Sequence, residues 1–161
     1  MRFLNKLQAV MPDGRHQMIY QVQTVAGLYE IHFTEVFDYS DAYAILPAGI
    51  LNGNRPSLIN QMGGCYEIEF DLVSNIENNT AFVRPKSSDG KALSTIIAQS
   101  IVKHYNSHKP YCYTFVAFDE ILTRVYRMAL LSFRIKNPDI ILNVHSHLDP
   151  EGRGYAITLK T

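Results

Sequence analysis

The sequence predicts an α+β domain, with two helices on one face of a mixed, mostly antiparallel sheet. Three observations carry this. Residues 16 to 36 alternate apolar and polar side chains around a glycine turn. The stretch from Tyr66 to Phe133 reads strand, strand, helix, strand, helix. Two segments within it repeat apolar residues at helical spacing, opening at Asp89-Gly90 and at Glu120.

Residues 1 to 11 place Phe3, Leu4, Leu7 and Val10 at helix-like intervals, a pattern a short strand serves equally. Pro12-Asp13-Gly14 ends it as a turn. In the next segment Met18, Tyr20 and Val22 alternate with Ile19, Gln21 and Gln23. Across Ala26-Gly27, Tyr29, Ile31 and Phe33 alternate with Glu30, His32 and Thr34. Period two around a glycine predicts an antiparallel hairpin. Its register is fixed because a one-residue slip would bury Glu30 and His32.

Residues 37 to 64 read as a long irregular loop, rich in Asp, Gly and Pro around Tyr39, Tyr43 and Ile45, with a helical turn allowed over Ser57 to Met62. Loops of that length inside a domain tend to carry function, which makes this one the expected binding surface. A strand follows over Cys65 to Val73. Its alternation sets Glu67, Glu69 and Asp71 on one face, read as solvated, with metal or basic-partner binding as the competing use. A turn is predicted over Asn75 to Asn79 and a returning strand over Thr80 to Arg84.

Ser88 or Asp89 is placed to cap the first helix, whose buried face is Leu93, Ile97 and Ile101 flanked by Ile96 and Val102. A buried strand is expected over 111 to 118. The second helix, from Glu120 to Arg134, turns Leu122, Val125, Ala129 and Phe133 inward and stops at Asn137-Pro138. Strands over Ile140 to Val144 and Tyr155 to Leu159 close the chain.

At 161 residues the chain suits one domain, residues 1–161, and can bury a core without staples. Fifteen basic and fifteen acidic residues cancel, which argues against a nucleic-acid partner. No leader pattern and no 18-residue apolar run is present, so a cytoplasmic protein without a membrane partner is expected. Cys65 and Cys112 read as two buried free thiols. Ten tyrosines and eight phenylalanines are compatible with a homodimer.

Four motifs bear on chemistry. Ser87-Ser88-Asp89-Gly90-Lys91-Ala92 stands between a strand and a helix, where free amides can hold an anion. The order strand, glycine loop, helix, strand, helix is similar to the coenzyme A half of the GNAT acetyltransferases. That resemblance implies acetyl-CoA at Ser88, Gly90, Lys91 and Ala92, with Tyr126 as general acid. The chain departs from the family at Ser87, where Arg or Gln belongs, and at Asp89, which would repel phosphate. Secondly, Tyr66-Glu67-Ile68-Glu69-Phe70, Gly90-Lys91-Ala92, Phe115-Val116-Ala117-Phe118 and Arg124-Val125-Tyr126 together resemble small tailed-phage and mobile-element proteins of unassigned function. This implies an α+β fold and a phage origin and carries over no catalytic residue. Thirdly, His145, His147 and Asp149 offer two imidazoles and a carboxylate to a metal, both histidines falling on one side of an extended segment. Finally, His32-Phe33-Thr34 is similar to one element of the two-histidine phosphoesterases, but His145-Ser146-His147 does not supply the second.

Arg124, Arg127 and Arg134 form a basic stripe on the second helix that suits phosphate or an acidic protein. With no convergent catalytic set, the sequence favours an interaction protein of phage or mobile-element type and leaves open whether it is an enzyme. It would bind a host or phage protein through Tyr39, Tyr43, Arg55, Arg124 and Arg127, without a cofactor. The alternative is a GNAT-like acyl-CoA-dependent N-acyltransferase.

Overall fold

The computed structural model describes residues 2–37, 63–80, 83, 90–148 and 150–160. Alternation decides its first strands. β1 (Arg2–Val10), β2 (His16–Gln23) and β3 (Leu28–Glu35) form an antiparallel meander. The apolar positions of β2 and β3 oppose one another, Met18 with Phe33, Tyr20 with Ile31 and Val22 with Tyr29. Glu30 and His32 therefore stand on the other face, opposite Gln21 and Ile19. At the hairpin tip the Thr24 hydroxyl accepts from the amides of Ala26 and Gly27, while Gly27 takes φ +141°. Within the stretch left open between helix and strand in the sequence, Arg2–Val10 forms a strand. Its apolar residues are largely exposed on an edge, and only Phe3 packs inward, edge-on to Tyr20.

β4 (Cys65–Leu72) pairs antiparallel with β3, and β5 (Cys112–Val116) pairs parallel with β4. β7 (Gly154–Lys160) lies antiparallel between β5 and β6 (Ile141–Ser146). The result is a seven-stranded mixed sheet, mostly antiparallel, in the order β1-β2-β3-β4-β5-β7-β6.

Among the described residues three helices accompany it. The short α1 (Val73–Glu77) takes up the first part of the turn expected over Asn75 to Asn79, and Asn78 and Asn79 complete it as a turn. The cause of α1 is Asn75, which is buried and whose side-chain amide donates to the Asp71 carboxylate (2.7 Å) and the Val83 carbonyl (2.8 Å). Thr80 and Val83 lie outside any strand, so the return expected over Thr80 to Arg84 is not seen at these two residues. Positions 81, 82 and 84 fall outside the described residues.

α2 (Gly90–His108) and α3 (Glu120–Lys136) pack side by side on one face of the sheet. Ile96, Ile97 and Ile101 are buried beneath α2, as are Val125, Ala129 and Phe133 beneath α3, which matches the periodic pattern. His104 stacks on Phe33 at 4.3 Å, and Tyr126 stacks on Phe115 at 4.0 Å, so both helices rest on the same apolar sheet face. Asp119 caps α3, its carboxylate accepting from the Leu122 amide at 2.8 Å. The cap expected for α2 at Ser88 or Asp89 lies outside the described residues.

Candidate functional site

Two regions could carry function, a cleft in the sheet and the outer face of α3. The cleft arises from topology. The parallel β4–β5 ladder has only three rungs, Cys65 with Cys112, Tyr66 with Tyr113 and Glu67 with Thr114, although β4 runs on to Leu72 and β5 to Val116. Beyond the third rung a cleft opens between the strands. Glu67, Glu69 and Val116 line it together with Phe70, Leu122 and Tyr126. Crevices at the carboxyl ends of parallel strands are common ligand sites, because following helices begin there. This one encloses about 20 Å3, room for a single water.

Its electrostatics are set by burial. The acidic face of β4, expected to be solvated, is not. Glu67 is 5% exposed, and Glu69 and Asp71 are half-buried. Burial raises the Glu69 carboxyl, while the charges of His32 and Arg15 pull it back. Tyr126 is buried, and its hydroxyl donates to the Ile68 carbonyl at 3.3 Å. Burial, and then the charges of Glu69 and Glu67, drive this phenol well above its ordinary range. A phenol so raised holds its proton tightly, which makes it a poor general acid as it stands. Of the residues implied in cofactor binding, Gly90, Lys91 and Ala92 form the first turn of α2, with the Lys91 carbonyl accepting from the Ser94 and Thr95 hydroxyls. Ser88 lies outside the described residues.

The histidine pair fares differently from its expected extended run. His145 lies in β6 opposite Ala156, but the strand ends at Ser146 and His147 turns to φ +61°. The Ser146 hydroxyl and His147 Nδ1 are 2.9 Å apart. Asp149 lies outside the described residues. Among the described residues no group of three or more His, Cys, Asp and Glu converges on a metal-sized position. His32 is engaged by Glu30, at 2.9 Å.

α3 presents the other region. Arg124 and Arg127 are exposed, as is Arg134. Beside them, unrecognised in the sequence, runs a second apolar stripe of Ile121, Met128, Leu131 and Ile135, exposed by 48, 46, 59 and 79%. These residues recur at seven, three and four positions, on the side of the helix away from its buried face. The signal was present, since α3 is apolar on two faces, and only the inner one was needed for the core. Tyr39, Tyr43 and Arg55 lie outside the described residues.

Comparisons with protein-family models, with curated proteins and with solved structures give no match. No described helix is long and apolar enough to cross a membrane.

Proposed function

We propose that this chain acts by protein–protein interaction and that the outer face of α3 is its docking surface. The observation that carries the reading is the exposed stripe of Ile121, Met128, Leu131 and Ile135 bordered by Arg124, Arg127 and Arg134. An apolar stripe left in water marks an interaction site more often than a scattered exposed leucine does. α3 holds one acid, Glu120, against four cations, Arg124, Arg127, Arg134 and Lys136. That imbalance disfavours a second copy of the same helix face and favours a partner with an apolar groove rimmed by Asp and Glu. The resemblance to phage and mobile-element proteins makes a phage or host protein the expected source, in the cytoplasm.

The test uses the whole chain as bait at low and high salt, beside Leu131→Glu and Arg127→Glu. An acidic protein captured at low salt, weakened by salt and lost with either variant supports the reading. A partner retained by both variants overturns it. Binding to anionic vesicles with no protein captured would replace the protein partner by a membrane surface.

A second reading, a GNAT-like acyltransferase, draws support from the cleft where β4 and β5 part, with Tyr126 in its wall and α2 beginning downstream. Acetyl-CoA would then raise the melting temperature of the wild type and not of Gly90→Leu. No shift in either sinks this reading. The small size of the cleft and the engaged Tyr126 hydroxyl rank it second.

A further inference from the structure

The sequence sets Cys65 and Cys112 far apart, but the fold makes them direct neighbours. They are register partners on the first rung of the β4–β5 ladder, both free and both buried. We propose that Cys65 and Cys112 form a reversible intramolecular disulfide, a redox modification site that clamps the root of the cleft.

The geometry suits the bond. Adjacent strands lie about 4.8 Å apart, inside the usual Cα–Cα window of roughly 4.4–6.8 Å for a disulfide. Register partners project to the same side of a sheet, so the two sulfurs share one small apolar compartment with Val36 and Ala156. A cross-strand disulfide within a continuous ladder strains the backbone, but this rung is terminal. Cys65 opens β4 and Cys112 opens β5. Gly63 and Gly64, at φ +86° and +84°, precede Cys65 and carry the chain into the strand. Cys65 also borders a depression of about 170 Å3 beside Glu35, Phe37 and Gly63, which brings a small oxidant near the pair.

In the reduced state the Cys112 thiol donates to the Tyr113 carbonyl at 3.6 Å, and its proximity, followed by burial, holds the Cys65 thiol well above its ordinary range. A Cys65 thiol held protonated in this way oxidises slowly. The oxidant is a low-molecular-weight disulfide such as oxidised glutathione. One cysteine, as its thiolate, attacks it, forming a mixed disulfide and expelling one glutathione thiolate. The second cysteine attacks the mixed disulfide and expels the other. Two protein thiols and one small disulfide become one protein disulfide and two small thiols, the protein's two protons passing to the released thiolates.

The consequence falls on the cleft. With only three rungs joining β4 to β5, a covalent bond at the first fixes how far the two strands can part. The cross-link also closes a long loop in the unfolded chain and so stabilises the fold.

The test unfolds and refolds the full chain in oxidised glutathione buffer, so that burial cannot hide the thiols. Expected are a mass lower by two hydrogens, a Cys65–Cys112 peptide on non-reducing digestion, and a melting temperature higher by about 5 °C or more. Dithiothreitol should reverse all three. Neither Cys65→Ser nor Cys112→Ala should show the linked peptide or the shift; two variants are used in case one fails to fold. Refolded protein with two free thiols, with glutathione adducts only, or with intermolecular bonds only, overturns the proposal.

Discussion

His104 Nδ1 lies 2.9 Å from the Tyr113 hydroxyl, and neither residue is more than 1% exposed. The imidazole is stacked between Phe33 and His108, each at 4.3 Å, with Tyr66 against it edge-on. Its Nε2 is buried without a hydrogen-bond partner among the described residues. Burial, then the charges of His108 and Lys6, lower His104 to about 2. An unfolded histidine titrates near 6.5. Below that pH the unfolded chain takes a proton that the folded chain refuses. Stability is therefore complete above pH ~6.5 and falls with decreasing pH, by roughly 1.4 kcal/mol per unit from this group, until about pH 2. His104→Leu should flatten the slope. The check is urea denaturation of both proteins at several pH values between about 7.5 and 4.5; equal slopes would refute it.

Glu69 runs the other way. Its carboxyl is raised in the folded state by burial, only partly offset by His32 and Arg15. The folded chain thus binds this proton more tightly than the unfolded one. The favourable contribution is full in acid and is lost as pH rises through the folded value. Glu69→Gln should accordingly raise the melting temperature at neutral pH, with the gain vanishing in acid.

Tyr126→Phe separates a structural tyrosine from a chemical one. The hydroxyl donates to a buried carbonyl, Ile68, so its removal should cost about 1 kcal/mol by denaturation. Ring packing on Phe70 and Phe115 is retained. If acetyl-CoA turnover is detected, a kcat that falls far more than stability does would make the hydroxyl chemical.

Gly63 is fixed by space and by conformation. At φ +86° an L side chain is strained, and a Cβ there would overlap the Lys109 carbonyl. The approach is tight because the loop entering β4 meets the one entering β5, where the Tyr111 amide donates to the Gly64 carbonyl at 2.9 Å. Gly63→Ala should cost roughly 2 kcal/mol or more. A melting temperature within a degree of wild type would show that the two loops can separate freely.

Much of the fold was readable because periodicity reports burial. The β2–β3 hairpin, the inner faces of α2 and α3 and the β5 strand all follow from apolar spacing. Where burial does not follow spacing, reading failed. β1 is an edge strand whose apolar residues face water, so its pattern could not choose between helix and strand. α1 depends on Asn75 reaching Asp71 and Val83, a contact that no local propensity encodes. Glu67 looks solvated by alternation, yet it is buried. The Cys65–Cys112 rung depends on which strands pair in parallel, and strand order is a long-range property. In the candidate sites, Arg124 and Arg127 were found by charge. Their apolar companions were missed because an apolar residue is first credited to the core.

The outer stripe of α3 makes a prediction about stability as well as binding. Leu131 is 59% exposed, on the side of the helix away from Val125, Ala129 and Phe133. Replacing it with glutamate removes little buried area and introduces a good helix former. The new carboxylate would stand four residues after Arg127 and three before Arg134, with a cationic neighbour on either turn. Leu131→Glu should leave denaturation stability within about 0.5 kcal/mol of wild type while making the protein more soluble at high concentration. A loss of several kcal/mol would mean that Leu131 is covered in the folded protein, and the docking surface would have to be sought elsewhere.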